Sequence, residues 1–159
     1  MAKARADNGA APVARNRRAR FDYTIEETLE AGLMLTGTEV KSLRAGKANL
    51  SDGYGVIRRG EVFLHNVHIG PYEQAGRENP EPRRERKLLL NRREIARLAS
   101  KVAERGFTLI PLSLYFRDGR VKVELALVRG KRRYDKRQAI RKREQEREVA
   151  RATRGRGRR

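Results

Sequence analysis

The sequence contains no cysteine, only two histidines and no long run of apolar residues. Without cysteine the chain has no disulfide, no thiolate ligand for a metal and no thiol nucleophile. No apolar stretch approaches the roughly 18 residues that a membrane-spanning helix requires. The basic N-terminus also lacks the apolar segment of a secretory signal. We therefore expect a cytoplasmic protein that does not associate with a membrane.

The chain also lacks the groups of residues that catalysis or metal binding would require. His65 and His68 are separated by three positions, which places them on opposite faces of a predicted strand and prevents them from acting as an acid–base pair. Gly46-Lys47 and Gly130-Lys131 lack the upstream glycine of a phosphate-binding loop, and the acidic residues do not cluster as in a two-metal nuclease. We expect no enzyme activity, no cofactor and no metal site.

Positive charge is what the chain has in excess: 39 Lys and Arg residues against 20 Asp and Glu residues give a net charge of +19 over 159 residues. Such a charge predicts a polyanionic partner, which for a protein of this size is usually a nucleic acid. The excess is unevenly distributed, because residues 21–70 carry a net charge of −2 and residues 130–159 carry +10. This asymmetry indicates a defined docking surface with a basic arm.

Composition divides the chain into three parts. Residues 1–14 are rich in alanine without periodicity and are predicted to be disordered. Residues 15–129 contain the periodic apolar positions and are long enough for one small core. Residues 130–159 are too polar to offset the entropy of their own ordering. Positions 136–152 contain no glycine or proline, so this tail is predicted to be disordered when free and helical when phosphates neutralise it.

Two sequence patterns predict short helices in the middle part. Thr36-x-x-Glu39 and Asn91-x-x-Glu94 both have the form of a capping box, which marks the first turn of a helix. Gly46 and Gly106 follow the two patterns and are expected at the helix ends, with Gly106 at the C′ position.

The remaining apolar positions predict antiparallel strands joined by hairpins. Asp118-Gly119 is typical of a type I′ turn, Arg58-Arg59-Gly60 is a second hairpin loop, Gly32 suggests a bulge or bend, and Pro111 suits an edge or a bulge. The expected strands are Phe21–Leu35, Tyr54–Ile57, Glu61–Ile69, Leu109–Phe116 and Val121–Val128, with an exposed loop over residues 70–86. Together these patterns predict a mainly β fold. It is a small antiparallel β-barrel of oligonucleotide-binding type with two or three short flanking α-helices and a disordered basic C-terminal tail.

Some side chains have two possible roles. Glu30 and Glu39 are either surface carboxylates that balance arginines or acceptors for a nucleobase amino group or a ribose hydroxyl. Tyr134 lies between basic residues without a core to join and is a candidate for stacking on a base. Another six aromatic residues are expected mostly in the core, namely Phe21, Tyr23, Tyr54, Phe63, Tyr115 and Phe116.

Several stretches together resemble one known family, the SsrA-binding proteins (SmpB) of bacterial trans-translation. The matching stretches are Asn16-Arg17-Arg18-Ala19-Arg20, Glu30-Ala31-Gly32, Gly37-Thr38-Glu39-Val40-Lys41-Ser42-Leu43-Arg44-Ala45-Gly46-Lys47, Arg86-Lys87-Leu88-Leu89-Leu90, Leu114-Tyr115-Phe116, Gly130-Lys131 and Asp135-Lys136-Arg137. They span residues 15–148 approximately, and the third stretch is highly specific.

The resemblance implies an RNA-binding adaptor. It would bind the tRNA-like domain of transfer-messenger RNA (SsrA RNA) and deliver it, with elongation factor Tu, to stalled ribosomes for rescue and tagging of nascent chains. The tail would then sense the empty mRNA channel near the decoding centre. By the family pattern, the RNA-binding residues are Asn16, Tyr23, Glu30, Leu89, Asn91 and Lys122. The ribosome-sensing residues of the tail are Gly130, Lys131, Arg132, Tyr134, Asp135, Lys136 and Arg137. We expect the protein to be a monomer.

The alternative is a constitutive ribosomal protein, which would also be basic and tailed. The number of copies bound per ribosome separates the two hypotheses. An adaptor is present in fewer copies than ribosomes and is released, whereas a ribosomal protein co-purifies with the ribosome one-to-one through high salt. The Gly-Arg ending after residue 152 receives no role under either hypothesis.

The tail hypothesis gives a first testable prediction. A peptide of residues 130–159 should show a disordered circular dichroism spectrum in low-salt water, because it has no apolar stripe to stabilise a helix. Helical signal should rise on addition of a short RNA, whose phosphates neutralise the basic face. A peptide that is already helical in low-salt water contradicts the hypothesis.

Overall fold

A computed structural model describes residues 11–104, 106–130 and 141–151. In chain order its elements are β1 (Ala14–Arg15), α1 (Ala19–Asp22), β2 (Tyr23–Leu33), α2 (Gly37–Arg44), β3 (Ala48–Asn49), β4 (Tyr54–Arg58), β5 (Glu61–His65), β6 (His68–Ile69), a 3₁₀ segment (Glu73–Glu78), β7 (Arg86–Leu89), α3 (Arg92–Val102), β8 (Phe107–Arg117) and β9 (Arg120–Gly130). Residues 141–151 are also helical. No helix within these ranges is long and apolar enough to cross a membrane.

Six strands form a closed ring in the order β8-β4-β5-β7-β2-β9, and β9 completes it by pairing with β8. Every pairing in the ring is antiparallel. Strand β1 lies outside the ring and pairs with Ser113 and Leu114 of β8. Strands β3 and β6 pair in a separate small sheet. The prediction of a mainly β chain forming a small antiparallel barrel of oligonucleotide-binding type with short helices is confirmed.

Local turn chemistry determines both hairpins of the barrel. Asp118 and Gly119 have φ angles of 51° and 76°, as a type I′ turn requires, and they join β8 to β9 in close register. Arg59 and Gly60 have φ angles of 52° and 75° and join β4 to β5. The register of β8 and β9 shifts between Pro111 and Ser113, which confirms the bulge predicted at the proline.

The core consists of two clusters, one inside the barrel and one outside. The inner cluster uses alternate positions of the long strands, including Leu29, Leu109 and Leu125, together with Leu98 of α3. The outer cluster lies where α1 covers the sheet, and its members are Ala19, Ile110, Leu112, Ala126 and Val128, with Tyr23 and Ile25 packed against them. The outer cluster covers one end of the β2-β9-β8 face and leaves the other end open.

Both predicted capping boxes are present. The Thr36 side chain accepts a hydrogen bond from the Glu39 amide, and the Glu39 carboxylate accepts one from the Thr36 amide at 3.0 Å. Asn91 and Glu94 form the same reciprocal pair at the start of α3. The predicted end of α3 was wrong, because the helix ends at Val102 with Ala103 as its C-cap, ahead of Gly106.

The structure also corrects the predicted strand from Phe21 to Leu35. Phe21 belongs to α1, and the strand begins at Tyr23. The irregularity of this strand lies between Ile25 and Glu27, whereas Gly32 pairs regularly with its neighbours. Gly32 has a different role: a β-carbon at this position would lie 3.2 Å from that of Leu89, so glycine permits β7 to pack closely here.

The predicted strand from Glu61 to Ile69 is interrupted. Asn66 has a φ of 62°, so the chain leaves β5 and re-forms as β6, which pairs in a different sheet. His65 and His68 are therefore in separate strands, and the side chain of His65 stacks on Tyr54 with 5.4 Å between ring centroids. Tyr54 is 42% exposed and is therefore not one of the core aromatic residues.

The aromatic core prediction was also too broad for other residues. Among the aromatic residues predicted there, Tyr115 is buried. The other four are only partly buried, namely Phe21, Tyr23, Phe63 and Phe116.

A buried ion-pair network connects α2 to the loop of residues 70–85 and to β7. Glu39 accepts hydrogen bonds from Arg86 Nε at 2.6 Å and from Arg84 Nε at 3.2 Å, and both Glu39 and Arg86 are buried. Arg86 also donates to the carbonyls of Val67 and Pro82, at 2.7 and 2.9 Å. Glu39 is therefore neither a surface carboxylate nor an acceptor for RNA, because its oxygens are engaged within the fold.

Burial by itself would raise the pKa of Glu39, but the hydrogen bonds from Arg84 and Thr36 and the charge of Arg86 outweigh it. The pKa of this carboxyl is consequently held below its usual value of 4.5. Because the folded protein binds this proton less tightly than the unfolded chain, the network stabilises the fold above pH 4.5. The stabilisation is lost as the pH falls further.

Replacing Glu39 therefore tests this network. Glu39→Gln leaves Arg86 buried without a counter-charge, and we expect the free energy of unfolding at pH 7 to fall by about 3–5 kcal/mol. Urea unfolding measures the change. Glu61→Gln is the matched control, since Glu61 forms a comparable but exposed pair with Lys87 at 2.8 Å and should cost less than about 1 kcal/mol.

The difference between wild type and Glu39→Gln should shrink when unfolding is repeated below pH 4.5. An equal, small loss in the Glu39 and Glu61 variants would show that the buried network does not stabilise the fold.

Candidate RNA-binding surface

The open end of the outer sheet face carries a row of side chains that crosses four strands. Leu89 of β7 pairs with Gly32 of β2, Gly32 pairs with Lys122 of β9, and Lys122 pairs with Tyr115 of β8. Residues in register on neighbouring strands point to the same face, so these four positions form one line. Leu89 lies on this line and is 53% exposed. An exposed apolar side chain beside charged and polar groups can mark a binding surface.

A second row lies two positions further along the same strands. Glu30 of β2 is directly opposite Glu124 of β9, which in turn is opposite Ser113 of β8. Because the side-chain period of a strand is two, this row faces the same side as the first. We call the two rows together the Glu30 face: Leu89, Gly32, Lys122 and Tyr115 in one row, Glu30, Glu124 and Ser113 in the other.

The carboxylate of Glu30 is held by two donors. Tyr115 Oη donates to Glu30 Oε2 at 2.5 Å, and Arg117 Nη1 donates to the same oxygen at 3.0 Å. Tyr115 is 3% exposed, and the side chain of Glu30 is 19% exposed. Burial, with the adjoining carboxylate of Glu30, raises the pKa of Tyr115, so its hydroxyl remains a donor at neutral pH.

Asn91 follows the Glu30 face closely along the chain. It comes two residues after Leu89 and is the N-cap of α3, where its Oδ1 accepts from the amide of Glu94 at 2.9 Å. Within the described ranges its Nδ2 makes no hydrogen bond, and the side chain is exposed. Four of the six residues assigned to RNA binding therefore lie on or beside one surface, namely Glu30, Leu89, Asn91 and Lys122.

The other two lie outside the Glu30 face. Tyr23 begins β2, seven residues before Glu30, which corresponds to about 23 Å at about 3.3 Å per residue. Asn16 donates its amide hydrogens to the carbonyls of Pro111 at 3.1 Å and Leu50 at 3.5 Å, so it ties the N-terminal segment to the barrel. Both line a cleft of about 650 Å³, together with Tyr54 and Thr108. The six residues thus form two groups.

The residues assigned to the tail lie mostly outside the described ranges. Gly130 is the final residue of β9 and pairs with Tyr23, so the tail leaves the barrel at the cleft end. The remaining six positions, Lys131, Arg132, Tyr134, Asp135, Lys136 and Arg137, lie outside the described residues. Further along, Arg143 of helix 141–151 lies over the ring of Phe21, 5.3 Å from its centroid.

Sequence reasoning missed three residues of the Glu30 face, namely Tyr115, Glu124 and Ser113, and it also missed Arg117, which donates to Glu30. Tyr115 was considered only as a candidate for the core, although the alternation of Leu114 and Phe116 already placed it on the opposite face. The neighbours of Glu30 depend on strand register, which a single sequence does not reveal. Among the described residues, no group of histidine, aspartate and glutamate side chains is arranged to hold a metal ion.

Comparison with known proteins identifies the family. The family model described as SmpB protein matches residues 13–155. The SsrA-binding protein of Thermobifida fusca is 62% identical over 156 residues, covering 97% of this chain and 98% of that protein. The SsrA-binding protein of Acidothermus cellulolyticus is 62% identical over 146 residues, covering 92% of each chain.

The fold is similar to a solved chain described by the words "tmRNA-SmpB: a journey to the center of the bacterial ribosome". The TM-score is 0.67 at 52% sequence identity, and the match covers 82% of this chain and 96% of that chain. The family match over most of the sequence and the shared barrel lead to the same conclusion: the chain belongs to the SmpB family of SsrA-binding proteins.

Proposed function

We propose that this protein binds the tRNA-like domain of transfer-messenger RNA and delivers it to stalled ribosomes for trans-translation. The observation that carries this proposal is the 52% identity to a chain described with tmRNA, SmpB and the bacterial ribosome, over 96% of that chain. The protein acts as an adaptor and not as an enzyme, as a cytoplasmic monomer, and reaches the ribosome with elongation factor Tu through the RNA.

The Glu30 face is the surface that we assign to the tRNA-like domain. Its carboxylates cannot bind phosphates, but they accept hydrogen bonds from base amino groups and ribose hydroxyls, the groups that distinguish one RNA fold from another. Lys122 adds a cation for the backbone, and the exposed side chain of Leu89 adds apolar area for a ribose or a base. Asn91 contributes the side-chain nitrogen Nδ2, which has no hydrogen bond within the described ranges, at the edge of this face.

We assign Asn16 and Tyr23 different roles in RNA binding. Tyr23 is partly buried and lines the cleft, where a base or ribose would meet its ring. Asn16 acts by holding the N-terminal segment in place, because its amide nitrogen is engaged by two carbonyls.

Two separate tasks suit the positions of the face and the tail. We propose that residues 15–129 bind the RNA and that residues 130–159 sense the empty mRNA channel, which is walled by RNA phosphates. Glu124 is the member of the Glu30 face nearest to Gly130, six residues before it on β9, so the tail departs about 20 Å from this face at about 3.3 Å per residue. This separation lets the tail, with its net charge of +10, enter a phosphate-lined channel while the face remains occupied.

Substitution of Glu30 tests the RNA-binding assignment. Glu30→Ala should weaken binding to the tRNA-like domain by about tenfold, because it removes an acceptor that faces RNA and leaves the inner core intact. Affinities would be measured against the tRNA-like domain and against an unrelated hairpin RNA of equal length, across a salt series. Wild type should keep its preference for the tRNA-like domain at high salt, since phosphate binding alone falls equally for both RNAs.

The matched control is Glu26→Ala on the same strand. Glu26 is exposed and forms an ion pair with Arg129 at 3.4 Å, away from the Glu30 face, so its loss should leave both affinities unchanged. If wild type fails to prefer the tRNA-like domain at high salt, the proposed function is wrong. If wild type keeps its preference but Glu30→Ala binds the tRNA-like domain with wild-type affinity, the role assigned to Glu30 is wrong.

A tail variant tests the division of labour. Replacement of Asp135, Lys136 and Arg137 by alanine should preserve affinity for the tRNA-like domain and abolish tagging of nascent chains on stalled ribosomes, because the tail acts after delivery. Tagging would be measured in a reconstituted translation system on a message without a stop codon. A parallel fall of affinity and tagging would contradict the separation between body and tail.

A further inference from the structure

Glu30 is held asymmetrically, through only one of its two carboxylate oxygens. Tyr115 and Arg117 both donate to Oε2, at 2.5 and 3.0 Å. Oε1 receives no hydrogen bond from any residue in the described ranges. The two donors therefore fix the plane of the carboxylate and leave one oxygen with unused acceptor capacity.

The two donors differ in burial. The ring of Tyr115 is enclosed on β8, whereas Arg117 approaches from the solvent and is 44% exposed. A buried aromatic side chain has little rotational freedom, so its hydroxyl is a fixed reference point for Glu30. A flexible arginine at the surface is a weaker constraint, because holding it in one geometry costs conformational entropy.

The carboxylate of Glu30 needs to be held in place because another carboxylate, that of Glu124, lies opposite it. Glu124 faces Glu30 directly across β2 and β9, and like charges in this position repel. Glu124 is itself engaged with the Ser113 hydroxyl at 3.2 Å. Without its donors, Glu30 would turn away from Glu124 and toward water, and Oε1 would lose its fixed direction.

We propose that Tyr115 is a positioning residue for RNA recognition: its hydroxyl holds Glu30 so that Oε1 accepts a hydrogen bond from an amino or hydroxyl group of the bound RNA. This inference rests on the proposed function, since it assumes that Glu30 contacts RNA. Preorganisation of this kind raises affinity by reducing the ordering that binding requires. It also assigns Tyr115 a role that is separate from filling space.

The test is a double-mutant cycle between Tyr115→Phe and Glu30→Ala. Tyr115→Phe keeps the ring and removes only the hydroxyl, and it should weaken binding to the tRNA-like domain by about tenfold, as loss of a hydrogen bond to a charged group does. In the Glu30→Ala background the same change should have no further effect, because the group it positions is gone. The salt dependence of affinity should keep its slope, since no phosphate contact is removed.

Tyr72→Phe is the matched control. It also removes a tyrosine hydroxyl that makes a 2.6 Å hydrogen bond, in this case to Gln74 in the loop of residues 70–85, and it should leave affinity unchanged. Thermal unfolding of each variant verifies that the measurements are made on folded protein. Arg117→Gln is measured beside Tyr115→Phe and should weaken binding less, because the exposed arginine is the weaker constraint on Glu30. An equal or larger loss in Arg117→Gln would assign the positioning role to Arg117 and overturn the inference.

The outcomes separate this inference from the proposed function. Unchanged affinity of Tyr115→Phe beside a weakened Glu30→Ala overturns the positioning role and leaves the RNA-binding role of Glu30 standing. Equal losses from Tyr115→Phe in both backgrounds also overturn it, because the hydroxyl would then act without Glu30. Wild-type affinity in Glu30→Ala overturns the proposed role of Glu30, and the inference with it.

Discussion

The closure of the barrel by β9 is the constraint on which the rest of the molecule depends. This strand pairs with β2 along one edge and with β8 along the other, over almost its whole length. Its inward positions, such as Val123 and Leu125, contribute to the inner core, so a shift of one residue would expose them and bury Lys122 and Glu124. The same register that buries the core therefore determines which polar side chains meet on the outside.

The register of β9 also sets the distance between the two ends of the molecule. At its start, the tight turn at Asp118 and Gly119 places Tyr115 and Lys122 side by side. At its end, Gly130 lies beside Tyr23 and releases the tail. Because the strand is hydrogen-bonded to β2 on one edge and to β8 on the other, the Glu30 face and the point of tail departure are held apart. Such a spacing suits the proposed adaptor, which would hold one RNA on the Glu30 face while its tail reaches into another.

The features that were predictable from sequence are those that depend on near neighbours. The two capping boxes span four residues each, and the type I′ turn requires only Asp118 and Gly119, so their sequence patterns were sufficient. Glu39 was different: its partner Arg86 is 47 residues away, and nothing near either residue indicates that the pair is buried. The break at Asn66 and the hydrogen bond from Tyr115 to Glu30 likewise depend on how distant strands align. The family resemblance indicated Glu30, Leu89, Asn91 and Lys122, but not the side chains that hold them.

The proposed role of the Glu30 face would explain how a strongly basic protein is selective for one RNA. A net charge of +19 attracts any polyanion, and such attraction contains almost no information about sequence or fold. Two opposed carboxylates on the proposed binding surface oppose this unselective attraction, because they would repel an RNA that presents phosphates there. Only an RNA whose shape places amino or hydroxyl donors against Glu30 recovers the energy that this repulsion costs. In this proposal the acidic residues reduce total affinity and increase the difference in affinity between the correct RNA and other RNAs, which is how specificity is obtained when charge alone would bind any polyanion.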